Sequence, residues 1–233
     1  MNKTFLKGLL TSFLAVLLIM SCMPILASAE KSARDGSTTA VEESIDIMHE
    51  SSDVIISEVL TFDELLEKIA RDKGISESQA KKEFLTKYGK SQRSKQGNAR
   101  LAESDILVMA QSATYRTISK AVNEWWYYQP TILWYCETSE WGSYWGIVKV
   151  VDTTLNRAYL GVSKQFSGTL YTNLESASKI HYYLNGDFYD NGTTTYTGGG
   201  EIGISGTASL NFSVSYATNH FGYMYYSGDI ITQ

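Results

Sequence analysis

The residues from Ile202 to Tyr216 alternate between apolar and small polar side chains. Successive side chains on a strand point to opposite faces, so this two-residue period predicts a β-strand with one buried and one wet face. At about 3.4 Å per residue the run would span roughly 50 Å, which exceeds a typical strand. We therefore expect a bulge or break at Gly206. A second strand, Phe221 to Ile231, is expected to return beside the first through a turn at Thr218 and Asn219.

Shorter runs rich in β-branched and aromatic residues precede this segment. Asn185-Gly186 is the dipeptide most typical of a tight hairpin, so we expect a turn there. The strand-like runs begin near Ile106, and the segment from Thr114 to Tyr128 fits a helix or a strand. The other expected strands are Thr131–Glu137, Tyr144–Asp152, Arg157–Lys164, Gly168–Asn173 and Lys179–Leu184. The spacing predicts a mainly β fold, with an antiparallel β-sandwich domain over residues 105–233 that follows a small helical hairpin region.

Residues 61–89 carry the helical signals. Thr61 and Glu64 have the spacing of a capping box, and apolar residues then recur on one helical face. Gly74 has the position of a left-handed C-cap. Ser76 and Gln79 form a second start signal, and Gly89 is expected to end that helix.

The segments that flank this hairpin are polar. Residues 30–60 are acidic, and we expect most of them to be poorly ordered. Residues 90–104 form a basic linker, which is either a flexible spacer or a protease-accessible junction. In the second case Arg93, Lys95 and Arg100 are the candidate processing residues, and residues 30–99 are a pro-region.

The first 29 residues have the features of a secretory signal peptide. Lys3 and Lys7 precede an apolar stretch, and Ala27 and Ala29 bracket an A-x-A cleavage pattern. An alternative is lipid attachment at Cys22, which would anchor the protein to a membrane surface. The layout resembles that of secreted proteins of Gram-positive bacteria, so we expect an extracellular bacterial protein.

The charge balance argues against one class of partner. The formal net charge is −5, and the last lysine or arginine is Lys179. Because nucleic-acid-binding proteins normally carry a basic footprint, we expect no nucleic-acid partner. No apolar run after the leader is long enough for a transmembrane helix.

No familiar catalytic motif occurs in the sequence. Asp187, Asp190 and Asn191 could offer oxygens to calcium, but these residue types are common in turns. Glu137 and Glu140 could form an acid/base pair, although two nearby carboxylates are more often a solvated hairpin. Cys136, the only cysteine after the leader, lies in an apolar strand and is expected to be a small buried residue. We expect no cofactor, no metal and no enzyme activity, with a hydrolase kept as the weaker alternative.

Aromatic residues are concentrated in a short stretch of the β-rich half. Neighbouring residues on a strand face opposite sides, so these rings cannot all lie in one core. Some of them are expected to form a binding surface for a sugar, a membrane interface or a protein. The candidate residues are Trp125, Trp126, Tyr128, Trp134, Trp141 and Trp145.

Two functions remain open at this stage. The first is a secreted, non-enzymatic binding protein that acts at or outside the cell envelope through its aromatic-rich β-domain, on an unknown protein, glycan or envelope component. The second is a secreted toxin or bacteriocin precursor, in which residues 30–99 are removed and a β-hairpin inserts into a membrane or oligomerises. Alternating strands suit a membrane β-structure and an ordinary sandwich equally well.

Overall fold

The computed structural model describes residues 54–95 and 101–232. The signal-peptide residues Ala27 and Ala29, the alternative lipid site Cys22 and most of the acidic segment 30–60 lie outside this part of the chain. The described residues form three helices and ten strands. The helices are α1 (Phe62–Lys73), α2 (Glu77–Lys95) and α3 (Glu103–Ser112). The strands are β1 (Val54–Ile56), β2 (Thr114–Ala121), β3 (Thr131–Trp141), β4 (Tyr144–Asn156), β5 (Ala158–Tyr159), β6 (Val162–Ser163), β7 (Gln165–Ser176), β8 (Lys179–Gly198), β9 (Ile202–Gly203) and β10 (Gly206–Ile231).

The predicted fold class is confirmed: the protein is mainly β, its named strand pairs are antiparallel, and the helices precede most of the strands. Five strands form a sheet in the order β1-β2-β3-β4-β9, and β7, β8 and β10 close into a small barrel. One face of the sheet packs on the barrel through an apolar core that includes Trp134, Cys136 and Phe188. The other face packs on the helices through a second core that includes Phe84, Tyr115 and Tyr135.

The helix starts are close to those predicted. The Thr61 side chain accepts a hydrogen bond from the Glu64 amide, the Glu64 carboxylate accepts one from the Thr61 amide, and Gly74 is left-handed at the end of α1. The predicted end at Gly89 is wrong, because α2 continues to Lys95. Arg93 and Lys95 therefore lie in this helix rather than in a linker, and Arg100 lies outside the described residues.

Two segments differ in type from the sequence-based prediction. The run from Ile106 to Ala110, which was grouped with the strands, lies in α3, where these two residues are buried against the other helices and the sheet. The segment from Thr114 to Tyr128 divides into β2 and an irregular connection closed by a bridge between Trp125 and Tyr128.

The predicted hairpin at Asn185-Gly186 is also wrong, because β8 runs straight through this dipeptide. Gly186 pairs with Gly168 of β7, and a Cβ atom added to Gly186 would lie 2.3 Å from the Ser167 carbonyl oxygen and 2.8 Å from the Phe166 ring. The glycine is needed for this close approach rather than for a turn.

The expected return of the chain at Thr218 and Asn219 does not occur. The break near Gly206 is present, since β9 ends at Gly203, but β10 then continues to Ile231 and pairs with β8 from Leu210 onward. Register shifts near Thr218 and His220, with left-handed Tyr216 and Asn219, bend the long pair where the barrel closes. Bulges of this kind increase local twist and allow long strands to curl.

Candidate functional site

Two of the predicted surface aromatics belong to the core. Trp134 is fully buried against the barrel, where its indole N–H donates to Thr172 Oγ1 at 3.0 Å and its ring lies 5.1 Å from that of Tyr182. Tyr128 is also buried, and its hydroxyl donates to the Arg157 carbonyl at 2.6 Å. These two residues position other parts of the fold and are not available to a ligand.

Trp141 and Trp145 lie at the tip of the β3–β4 hairpin. Trp141 is 86% exposed, whereas Trp145 is half-buried beneath the Arg116 guanidinium, 4.8 Å from its ring. Arg116 also binds both carboxylate oxygens of Glu140 at 3.0 Å. Hydrogen bonding from Arg116 is the main reason that the pKa of Glu140 lies below its ordinary value, and partial burial opposes this only in part.

The second carboxylate of the sequence-predicted acid/base pair has different partners. Glu137 binds the Lys149 ammonium at 3.0 Å and accepts from the Tyr88 hydroxyl at 3.0 Å. Each of the two carboxylates is thus held by its own cation, and the arrangement suits ion pairing better than proton transfer to a substrate.

The remaining predicted aromatics, Trp125 and Trp126, lie in the connection between β2 and β3 (residues 122–130). The Phe221 ring lies 5.2 Å from Trp125, 5.8 Å from Tyr127 and 5.5 Å from Tyr128. Most of Trp126 remains in solvent, with 85% of its surface exposed.

The β5–β6 hairpin and the bend of β10 lie at the same end of the molecule as this connection. The β5–β6 hairpin is joined to it by the Tyr128–Arg157 hydrogen bond and by contact between the rings of Tyr128 and Tyr159. Lys164, just after this hairpin, forms an ion pair with Asp190 of β8 and lies 4.1 Å from the Phe221 ring. The bend of β10 lies at the same level, because Phe212 pairs with Gly168 and Ser215 is therefore level with the start of β7.

We call this region the aromatic end. It consists of the connection 122–130, the β5–β6 hairpin and the bend of β8 and β10. Its exposed apolar side chains are Trp126, Tyr127, Leu160, Val162 and Tyr216. Trp141 lies at the other end of β3, which at about 3.3 Å per residue is more than 30 Å away. The predicted aromatic set is therefore divided between a core and two opposite ends.

Two exposed side chains of the aromatic end stand on left-handed backbone. Leu160 has φ 48° and is 85% exposed, and Tyr216 has φ 56° and is 91% exposed. Bulky residues adopt this conformation at an energetic cost that glycine or asparagine avoids. At Leu160 the two-residue loop of the β5–β6 hairpin requires this conformation, and at Tyr216 it coincides with the register shift of β10.

The other sequence-based candidates are held by neighbouring side chains. Asp187 contacts His220 Nε2 at 2.8 Å, and Asp190 is paired with Lys164. Each carboxylate thus already has a protein partner in place of calcium. Within the described ranges no group of three potential metal ligands is found. Cys136 is buried and free, as expected, and burial raises the pKa of its thiol.

One surface was missed by the sequence analysis. The outer face of β7, β8 and the last part of β10 carries a row of three tyrosines, Tyr171, Tyr183 and Tyr225. Alternate tyrosine, histidine and asparagine residues along β8 could have indicated it, but the row exists only because of the register between three strands. Sequence periodicity within one strand does not specify that register.

Comparisons of the chain with protein-family models, with curated proteins and with solved structures gave no match. None of the helices in the described part of the chain is long and apolar enough to cross a membrane.

Proposed function

We propose that this chain is a non-enzymatic binding protein that acts outside the cell and docks on a lipid bilayer surface through its aromatic end. The observation that carries the proposal is the gathering of five exposed apolar side chains at one end of the molecule, from the connection 122–130, the β5–β6 hairpin and the bend of β10.

The shape of the aromatic end favours a soft, flat partner. Trp126, Leu160 and Tyr216 belong to a connection, a hairpin loop and the bend of a strand, and each is at least 85% exposed, so each side chain is largely free of its neighbours. A bilayer can accommodate such side chains individually, whereas a folded protein would need a matching pocket for each one. Tryptophan and tyrosine, with an apolar body and a polar edge, are also the residues that concentrate at membrane interfaces.

The charges at the aromatic end indicate which kind of lipid it would bind. Lys164 of this end is paired with Asp190. The Arg157 guanidinium is engaged by the Lys164 carbonyl and by the side chains of Gln165 and Thr194. The chain as a whole carries a formal net charge of −5. Anionic lipids attract exposed clusters of lysine and arginine, which this end does not present. Zwitterionic lipid is therefore the expected surface, and attachment should be driven by burial of apolar side chains.

The arrangement of the helices favours a binding protein over the toxin precursor. Residues of α1 and α2 share a core with Tyr115, Leu133 and Tyr135 of the sheet. Removal of residues 30–99 would uncover these side chains, so the helical layer supports the folded sheet. That the protein acts outside the cell remains an expectation from the predicted signal peptide.

Vesicle flotation tests the docking surface. The variant carries Trp126→Ala together with Leu160→Asn, because asparagine tolerates left-handed backbone. Burying a large apolar side chain contributes about 1.5–3 kcal/mol, so we expect the variant to bind phosphatidylcholine vesicles at least tenfold more weakly than the wild type. Trp141→Ala, which removes an equally exposed tryptophan at the opposite end, is the matched control and should bind like the wild type.

The same vesicles separate the two functions. Binding that survives high salt without release of an entrapped dye supports the docking protein. Dye release after cleavage between residues 87 and 100 would support the toxin precursor instead. A wild-type protein that does not float with the vesicles, or a Trp141→Ala effect equal to that of the variant, contradicts the proposal.

A further inference from the structure

The tyrosine face, which we define as the outer face of β7, of residues 179–189 of β8 and of residues 220–231 of β10, lies along the side of the barrel. Its inner counterpart is apolar and includes Leu170, Leu184 and Met224. Its central outer residues are aromatic, amide, hydroxyl or charged, and the exposed aliphatic residue Ile231 lies at its margin, opposite Lys179. We infer that this face is a glycan-binding site for a neutral, hydroxyl-rich oligosaccharide, a role independent of bilayer docking.

The three central rings form an ordered row. Tyr171 and Tyr183 are direct cross-strand partners whose rings stack at 4.8 Å with an interplanar angle of 12°. The Tyr225 ring continues the row at 6.3 Å from Tyr183 and 24°. Stacked rings cover one another's faces, so the row turns its edges and hydroxyls to solvent. These positively polarised edges and phenolic groups suit the oxygen atoms of a sugar.

Hydrogen-bonding groups lie beside the row in both directions along the strands, because Asn185 is the cross-strand partner of Tyr225 and Asp229 that of His181. Tyr223 donates to Asn185 Oδ1 at 2.9 Å, which leaves the NH₂ group of the amide to donate to a ligand. On the other side, Asp229 binds His181 Nδ1 at 2.7 Å and Lys179 Nζ at 3.0 Å. Hydrogen bonds from His181 and then Lys179 hold the pKa of the Asp229 carboxyl below its ordinary value, so it accepts hydrogen bonds as a carboxylate at neutral pH.

The charges exclude an anionic ligand. Lys179 is engaged by both Glu175 and Asp229, and Asp187 adds a further carboxylate next to His220. Carboxylates thus outnumber the permanently charged cation, and a phosphate or sulfate polymer would be repelled. The side chains of the row and its neighbours are tyrosine and asparagine rather than large aliphatic groups. Antibody binding loops use the same residue types for contact area and adaptable hydrogen bonding.

The dimensions of the row suggest how a chain would lie. Neighbouring strands are about 4.8 Å apart, so three tyrosines on three strands span roughly 10 Å across the sheet. That length accommodates two linked pyranose units, whose hydroxyls would meet the tyrosine hydroxyls, while Asn185 and Asp229 on either side of the row would meet the outward groups of the same units. The sheet supplies the rigidity that keeps these groups in place without ordering cost.

Calorimetric titration with neutral hexasaccharides of glucose and of N-acetylglucosamine tests the inference. We expect the wild type to bind at least one of them, with little dependence on salt. Tyr225→Ala removes a ring and should weaken binding by about tenfold. Tyr183→Phe keeps the stack and removes one hydroxyl, and should weaken binding by about fivefold.

Two controls keep this test separate from that of the aromatic end. Tyr144→Ala, at the exposed tip of the β3–β4 hairpin, should leave oligosaccharide binding unchanged. Tyr225→Ala should still float with phosphatidylcholine vesicles if docking is real, so each proposal can fail alone. The inference is overturned if neither hexasaccharide binds, if heparin binds instead, or if Tyr225→Ala and Tyr183→Phe both bind like the wild type.

Discussion

The two faces of the five-stranded sheet are packed by different means. Toward the barrel, β3 presents Ile132, Trp134 and Cys136, which are fully buried among apolar neighbours. Toward the helices, the same strand presents Leu133, Tyr135 and Glu137, and this layer includes charges. One strand therefore serves an apolar interface with its even-numbered residues and a mixed interface with its odd-numbered residues.

On the helix-facing side, charged side chains of the sheet pair with residues of α1 and α2. Asp152 of β4 binds both Lys73 of α1 and Lys87 of α2, at 2.8 Å in the second case. Burial by itself would raise the pKa of Asp152, but the two ammonium groups together outweigh it and hold the pKa below its ordinary value. Beside this group, the Tyr135 hydroxyl donates to Asp72 at 2.9 Å.

The two interfaces of the sheet should therefore be destabilised by different kinds of substitution. Contact between apolar surfaces depends on shape and area and changes little with pH. A buried ion pair contributes little net stability but is costly to break, because the remaining partner is left charged and unsolvated. The barrel interface should respond to changes in volume, and the helix interface should respond to changes in charge.

The largest effect is expected on the barrel side. Trp134→Ala removes the largest buried ring of β3 and leaves the Thr172 hydroxyl without its donor, so we expect a loss of about 3–5 kcal/mol in unfolding free energy. Denaturant unfolding should show the same loss at pH 7 and at pH 4. Trp134→Phe should cost clearly less, and equal losses for the two variants would show that ring volume does not control this interface.

The next effect is expected on the helix side. Asp152→Asn leaves Lys73 and Lys87 without their shared carboxylate and should cost about 3 kcal/mol at pH 7. Asp190→Asn breaks the more exposed Lys164 pair and, as a control, should cost less than about 1 kcal/mol.

The pH dependence of the Asp152 variant has a definite sign. The native pKa of Asp152 is lowered, so its contribution is complete above the ordinary carboxyl value of 3.8 and disappears as pH falls through the native pKa. The difference between wild type and Asp152→Asn should therefore shrink as the pH falls below 3.8. A difference that stays constant with pH would show that packing rather than charge is lost.

The sequence predicted the local features better than the long-range ones. The capping box at Thr61 and the glycine at position 74 are set by neighbouring residues, and these predictions are confirmed. The predicted alternation of buried and exposed residues holds around Leu210 and Phe212, but Ile204 and Tyr216, which the same period placed on the buried face, are exposed. The roles of Gly186 and Trp134 depend on which strand lies opposite, so a turn and a surface were predicted where the structure has a paired strand and a core. The aromatic end likewise depends on three segments distant in sequence, which are the connection 122–130, the β5–β6 hairpin and the bend of β10.

The smallest predicted effect tests whether the two interfaces act as one unit. Thr61→Ala removes the side-chain cap of α1 and should lower the unfolding free energy by about 1 kcal/mol. Ser76→Ala removes a hydroxyl that accepts from the Gln79 amide at 3.2 Å and bonds the Ser78 hydroxyl at 3.0 Å on the exposed surface, and it should cost no more than that. If the helices share one cooperative transition with the sheet, circular dichroism of the helices and fluorescence of the buried tryptophan will shift together in denaturant. If only the circular dichroism transition shifts, the helices unfold from a sheet that the barrel core alone keeps folded, and the helical layer would then be separable, as the precursor hypothesis requires.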